Sequence, residues 1–249
     1  MAGHSKWANI KHRKARQDQK RGKQWSKCSK AIMAAARQGG GDPDANLALR
    51  YAIDEAKAVN MPKDTIENAI RKGSGEGADG VTYESIVYEG YGPAGVAVMC
   101  EILTDNRNRT AGEVRKIFEK SGGNLGSTGC VAYNFQNKGQ LFLAGEVDEE
   151  KLMEVAIDAG ADDVREDQGV WEIITEPAAF LDVRQTLEAA GFAIDSAEVT
   201  MIAQNTVELT GGDAAKALRL IDALEDHDDV QKVHTNVDIS DDEMAKLEA

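Results

Sequence analysis

The chain has 249 residues, 42% of them hydrophobic, which suits two or three compact domains and excludes wholesale disorder. Its net charge of −14 looks unsuited to a polyanionic partner, but the charge is segregated: residues 1–77 carry 16 Lys+Arg against 8 Asp+Glu, net +8, and the remainder carries 13 against 35, net −22. Three scattered cysteines (Cys28, Cys100 and Cys130) exclude a CxxC zinc site and a disulfide framework, and no stretch reaches the ~18 apolar residues of a membrane helix, so a reducing, cytoplasmic setting is expected.

Residues 1–23 are polar and basic, with too few apolar side chains to bury. No apolar run follows the first basic residues, which argues against a secretory signal; an organelle transit peptide is the alternative reading. Ala31, Ile32, Ala35 and Ala36 predict a helix over 23–37 that ends at Gly39-Gly40-Gly41. Asp42-Pro43-Asp44 reads as a turn and helix start, and Ala45, Leu49, Ala52, Ala56 and Val59 recur at helical spacing. A third helix is expected from Asn60-Met61-Pro62 to Lys72, and residues 73–80 read as a linker. The first domain, residues 1–77, is therefore all-helical.

Beyond the linker the period changes. Strands are expected over 81–89 and 96–103, a helix capped by Asp105 and lined by Ala111, Val114, Ile117 and Phe118, and a strand over 131–135. An internal duplication follows: a strand at 141–143, a helix over 149–159 stopped by Gly160, strands near 163–166 and 170–175, a helix over 178–190 stopped by Gly191, and a strand around Ala197, Val199 and Met201. This βαββαβ order is that of a ferredoxin-like unit. A strand at 207–209, a helix over 213–225 and a strand over 230–237 are too little to stand alone. They complete the piece before Gly139, so the expected architecture is α+β in three domains. These are 1–77 (basic and helical), 78–137 with 204–240 (an α/β module), and 138–203 (a ferredoxin-like module inserted into the second).

The strongest constellation is the basic run. Lys6, Lys11, Arg13, Lys14, Arg16, Lys20, Arg21, Lys23, Lys27, Lys30 and Arg37 fall within residues 1–40, where Asp18 is the only acid. Cations at this density bind phosphates by counterion release. Trp7 and Trp25 lie among them and can stack on unpaired bases, and His4 and His12 add donors. The competing reading is intramolecular, with the basic segment folded back on the acidic modules. A second candidate is Thr104-Asp105-Asn106-Arg107-Asn108-Arg109-Thr110, where Arg107, Arg109 and free N–H groups at a helix start suit an anion; the plain alternative is a capped helix with two exposed arginines. Gly122 to Gly129 lacks the lysine and following helix of a P-loop and reads as a bend.

For catalysis little presents itself. His227 and His234 read as surface histidines, Cys28 as a small apolar helix residue despite its lysine neighbours, and Asp226, Asp228 and Asp229 as a solvated acidic run. No enzyme activity, metal or other cofactor is expected.

The opening Gly3-His4-Ser5-Lys6-Trp7-Ala8-Asn9-Ile10-Lys11-His12-Arg13-Lys14 resembles that of the YebC/PmpR family, which includes the mitochondrial translational activator of cytochrome oxidase subunit I. The blocks Gly39 to Asp44, Asn60 to Asp64, Tyr88 to Pro93 and Leu103 to Thr110 are similar as well, so the resemblance spans nearly the whole chain. It implies a three-domain α/β architecture with the third domain inserted into the second, no enzymatic activity, and a role in gene expression. Bacterial members are described as transcriptional regulators that bind promoter DNA, others as ribosome-associated factors that aid translation through difficult stretches, proline runs included. Residues 24–34 depart from the commonest family wording at Trp25, Cys28 and Met33, as do Cys130 and Tyr133.

The expected function is thus non-enzymatic, nucleic-acid-binding regulation, on ribosomal RNA as a translation factor or on promoter DNA as a transcriptional regulator. The nucleic-acid-binding set is Lys6, Trp7, Lys11, His12, Arg13, Lys14, Arg16, Lys20, Arg21, Lys23, Arg107 and Arg109. The absence of an obvious helix-turn-helix weakens base-specific major-groove reading. A monomer is favoured and no membrane partner is expected. The reading from another class is a protein-interaction or small-ligand-sensing module built on acidic ferredoxin-like units.

Overall fold

A computed structural model describes residues 21–76, 82–167 and 169–248. Three helices open it: α1 (Arg21–Gly39), α2 (Leu47–Ala58) and α3 (Lys63–Arg71), the last running into a π turn, Lys72–Glu76. Helix α2 starts later than Asp42-Pro43-Asp44 suggests because Asn46 is the cap. Its side chain accepts from the Leu49 N–H at 3.1 Å while its amide donates to the Ala35 and Gly40 carbonyls, both at 2.9 Å, tying the end of α1 to the start of α2. At the other end of α2, Asn60 takes the left-handed conformation (φ 54°), and the Asn60 and Met61 N–H groups donate to the Lys57 and Ala56 carbonyls, a Schellman closure that turns the chain sharply into α3. The three helices share a self-contained core that includes Ile32, Leu49, Ala52, Ile53, Met61 and Ile66.

Two four-stranded antiparallel sheets follow. The first combines β1 (Glu84–Tyr91), β2 (Ala97–Thr104), the two-residue β3 (Asn124–Leu125) and, from far along the chain, β9 (Val230–Thr235), in the order β3-β1-β2-β9. Helix α4 (Arg107–Lys120) and helix α7 (Gly211–Glu225) cover one face. The second sheet contains β4 (Phe135–Ala144), β5 (Ala161–Asp167), β6 (Val170–Thr175) and β7 (Ser196–Ala203) in the order β5-β6-β4-β7, with α5 (Glu149–Asp158) and α6 (Phe180–Ala189) as its crossovers. That is the ferredoxin-like βαββαβ arrangement, set between β3 and the return of the chain to the first sheet. Gly160 and Gly191, with φ of 100° and 90°, end the two crossover helices in the conformation that L side chains avoid. A short parallel pair, β8 (Val207–Glu208) with β10 (Val237–Asp238), and α8 (Asp241–Glu248) close the chain.

Central strand β2 shows how the layers are organised. Val98, Cys100 and Ile102 point into the core beneath α4 and α7, whereas Ala97 and Met99 face the other way and meet Val131, Phe135, Met201 and Ala203 at a seam between the sheets. Two expectations are corrected here and one element is added. Residues 131–135 are not a strand of the first sheet: Ala132–Asn134 form a 3-10 turn, and Phe135 begins one long strand that runs to Ala144 in the second sheet. The cap of α4 is Asn106 rather than Asp105, its side chain accepting from the Arg109 N–H at 3.1 Å. The C-terminal helix α8, which buries Met244 against the first core, was not anticipated.

Candidate nucleic-acid interface

Of the predicted binding residues, Lys6, Trp7, Lys11, His12, Arg13, Lys14, Arg16 and Lys20 lie outside the described residues. Arg21 opens α1. Lys23 lies two residues further on, and with Lys27 and Lys30 it forms a row at helical spacing on one face. That row touches the turn that ends α7. Lys23 Nζ donates to the Asp226 carbonyl at 3.0 Å, Lys27 Nζ to the Glu225 carbonyl at 2.5 Å, and Lys30 Nζ to the Asp228 carbonyl at 3.1 Å. The last carbonyls of a helix carry the negative end of its dipole and lack intrahelical partners, so ammonium groups suit them. Burial at this contact pulls the Lys27 ammonium below its ordinary pKa, against the opposing pull of Glu225.

Lys30 also reaches Asp229 Oδ1 at 3.0 Å. The expectation of a solvated run at 226–229 is corrected at this residue, which is only 3% exposed. Arg109 meets Asp229 Oδ2 at 2.6 Å, and the Thr110 and Thr104 hydroxyls lie 2.8 and 3.1 Å from the same oxygen. Burial pushes the Asp229 carboxyl up, but the bonds from Arg109, Thr110 and Lys30 outweigh it and hold the group well below the usual carboxylate range. The Leu103 N–H donates to the Asp229 carbonyl at 2.8 Å, fixing the residue beside the end of β2. One buried carboxylate thus joins α1, the start of α4 and the entry to β9.

The arginine pair splits. Arg109 is held by Asp229, by Asp105 at 2.9 Å and by Glu113 at 3.9 Å, a bracing arrangement. Arg107 is exposed and makes no ion pair among the described residues. Trp25 is half-buried, with its indole N–H donating to the Val59 carbonyl at 3.1 Å, so it serves the helical core rather than presenting a stacking face.

Other candidates are also clarified. Three backbone N–H groups in and just beyond the glycine-rich loop, those of Gly129, Val131 and Ala132, already have an anion. The buried Glu89 carboxylate accepts from them at 2.7, 2.9 and 2.8 Å. His227 and His234, expected at the surface, are each held by a carboxylate and are at most partly exposed. His234 is 5% exposed and bonds Glu101 Oε1 at 2.8 Å, with the Thr200 hydroxyl 3.3 Å from its other ring nitrogen. His227 Nδ1 accepts from the Asp229 N–H at 3.1 Å, leaving Nε2 to face Glu113 at 3.0 Å. Cys28 packs on the helical core, where burial pushes its thiol up to about 11, and Cys100 is pushed up to about 12. Among the described residues no cluster of His, Cys, Asp or Glu could hold a metal ion, and no helix is long and apolar enough to cross a membrane.

The residues that reading of the sequence missed are Lys27 and Lys30 as partners of Lys23, and Asp229 as their anchor. The spacing of 23, 27 and 30 carried the signal for the first two. For Asp229 the only signal was its place directly before the buried strand that starts at Val230.

Comparison with known proteins gives concordant matches. The family model for the N-terminal domain of TACO1/YebC proteins matches residues 5–76, and that for their second and third domains matches residues 83–237. A protein of Geobacter sulfurreducens named a probable transcriptional regulatory protein is 57% identical over 247 residues, covering 99% of this chain and all of that protein. One of the same name from Azoarcus sp. is 58% identical over 237 residues, covering 95% and 98%. The crystal structure of a conserved hypothetical protein from Aquifex aeolicus superposes with a TM-score of 0.76 at 46% identity, covering 89% of this chain and 91% of that one.

Proposed function

The chain belongs to the TACO1/YebC family, and from that premise we propose that it is a non-enzymatic regulator of gene expression that binds nucleic acid through its basic N-terminal region. The observation that carries this reading is the segregation of charge, net +8 in residues 1–77 against −22 in the rest. A polyanion is attracted to one end and repelled by the other, which orients the encounter as well as strengthening it. The proposed contacts are the cations from Lys6 to Lys23, with Trp7 as a stacking platform and Arg107 as a separate cation at the start of α4. The bracing of Arg109 leaves it the weaker half of that second anchor. The raised cysteine thiols, poor nucleophiles in that state, support a non-catalytic role.

Two targets remain distinct. The exposed face of α3 and the turn after it mixes Lys63, Arg71 and Lys72 with Asp64 and Glu67, a poor surface for lying along the phosphate walls of a major groove. That weakens duplex reading, and Trp7 among the cations suits an unpaired base, which together favour RNA and with it action on the ribosome as a translation factor. The names of the bacterial relatives favour promoter DNA. Cross-linking in cells followed by sequencing of the bound nucleic acid separates the two, ribosomal RNA being the expected product. In solution, contact with roughly 5–8 phosphates gives a log–log salt slope of about −4 to −7. A slope near zero, or unchanged affinity after removal of residues 1–20, overturns the reading and favours the acidic modules as a protein-interaction or ligand-sensing surface.

A further inference from the structure

The helical domain is joined to the rest of the molecule chiefly by polar contacts, with the Tyr51 ring packed against the second sheet module. On the α1 side the joint is the lysine row on the turn after α7. On the α2 side it is Glu55 with Lys232 Nζ at 2.5 Å and the Tyr51 hydroxyl on the Pro177 carbonyl at 3.1 Å. The core of α1, α2 and α3 is complete without the sheets, and polar interfaces of this kind permit relative domain motion.

The two ends of the lysine joint are not equally committed. Of the four hydrogen bonds that Lys23, Lys27 and Lys30 make to this turn among the described residues, three go to neutral backbone carbonyls, which water can satisfy as well. The fourth goes to Asp229, which keeps Arg109, Thr104 and Thr110 when Lys30 leaves. Opening at these three lysines therefore leaves Asp229 paired, which avoids the step that makes most buried ion pairs hard to break. A phosphate backbone offers the same lysines fully charged oxygens and a gain from counterion release.

We propose that the α1 lysine face is a phosphate-binding surface latched shut by the turn after α7, and that a nucleic-acid backbone opens it by taking Lys23, Lys27 and Lys30 from the carbonyls of Asp226, Glu225 and Asp228. This rests on the nucleic-acid reading above and adds a closed and an open form to it. In the closed form the lysines neutralise the end of α7. In the open form they add a row of cations along α1 to the basic run that precedes it in the sequence.

The test uses the full chain with a short poly(U) RNA and, separately, a duplex DNA of similar length, read by small-angle scattering and by hydrogen exchange. Nucleic acid is expected to expand the wild-type protein and to speed exchange in residues 225–229. A Lys23→Gln/Lys27→Gln/Lys30→Gln variant is expected to be expanded before any nucleic acid is added. It should bind more weakly, with a salt slope shallower by up to about 3, one for each lost phosphate contact. Binding by the wild-type chain with unchanged dimensions and unchanged exchange at 225–229 overturns the latch alone. So does a triple variant that stays compact and binds as the wild type does. No binding to either nucleic acid overturns both the latch and the reading it rests on.

Discussion

The two joints of this molecule are built from opposite materials. Between the sheets, Ala97, Met99, Val131 and Phe135 are buried against Met201 and Ala203, and the chain crosses beside them at hydrogen bonds between Asn134 and Asn205. Between the helical domain and the sheets, long side chains reach across to carbonyls and carboxylates. Apolar surface removed from water holds its partners at all salt concentrations, whereas exposed charge contacts are screened and exchange readily with other ions. The lesson is that the sheet pair is the scaffold and the helical domain is the part whose position solution conditions and polyanions can change.

The largest expected effect tests the scaffold. Phe135→Ala removes the largest buried side chain of the seam and should cost about 3–5 kcal/mol in urea unfolding of the sheet pair. Hydrogen exchange in α2 and α3 should hardly move. Equal acceleration in all three regions would mean that the helical domain depends on the seam and that the contrast is false.

Asp229 sharpens the comparison, because it belongs to both sides. Asp229→Asn should cost about 3 kcal/mol, the loss expected when one partner of a buried ion pair is removed. The pH dependence has a definite sign. The folded carboxyl lies below its unfolded value of about 3.9, so its contribution is present in full above that pH and is lost as pH falls below it. Wild-type stability should therefore drop between about pH 5 and pH 2 more steeply than that of Asp229→Asn. Parallel curves would remove Asp229 as the anchor of α1 and α4.

The smallest effect lies at the edge of the movable joint. Tyr51→Phe loses one hydroxyl bond to Pro177 and should cost about 1 kcal/mol or less, as the ring stays packed against the second sheet module. A larger loss in thermal unfolding would make this contact part of the scaffold.

Much of the architecture was legible because periodicity reports burial. The helices around Leu49, Ile66 and Val114 and the duplicated βαβ units follow from it, and Gly160 and Gly191 mark their helix ends in the sequence as in the structure. What periodicity does not report is which residues meet across a long separation. The run from Asp226 to Asp229 looks uniformly solvated, yet Asp229 is buried because Lys30 and Arg109 arrive from 199 and 120 residues away. His234 reads as exposed for the same reason, its partner Glu101 standing 133 residues off. The strand expected at 131–135 failed differently. The Glu89 carboxylate takes the N–H groups of Val131 and Ala132, so they are not available for a ladder. The candidate interface was legible as a charge density, but the pairing of its last three lysines with the end of α7 was not.

The neck between the sheets has one further consequence. The chain enters the second sheet after Asn134 and leaves it before Asn205, and these two residues are bonded to each other. The Asn205 N–H donates to Asn134 Oδ1 at 3.1 Å, and Asn134 Nδ2 donates to the Asn205 carbonyl at 3.2 Å. Both ends of the intervening stretch therefore lie at one point on the host. Its length can grow, shrink or be exchanged for another closed unit without altering the path of the first sheet, which makes this position a natural graft point for reshaping the acidic half of the protein while its basic end is left alone.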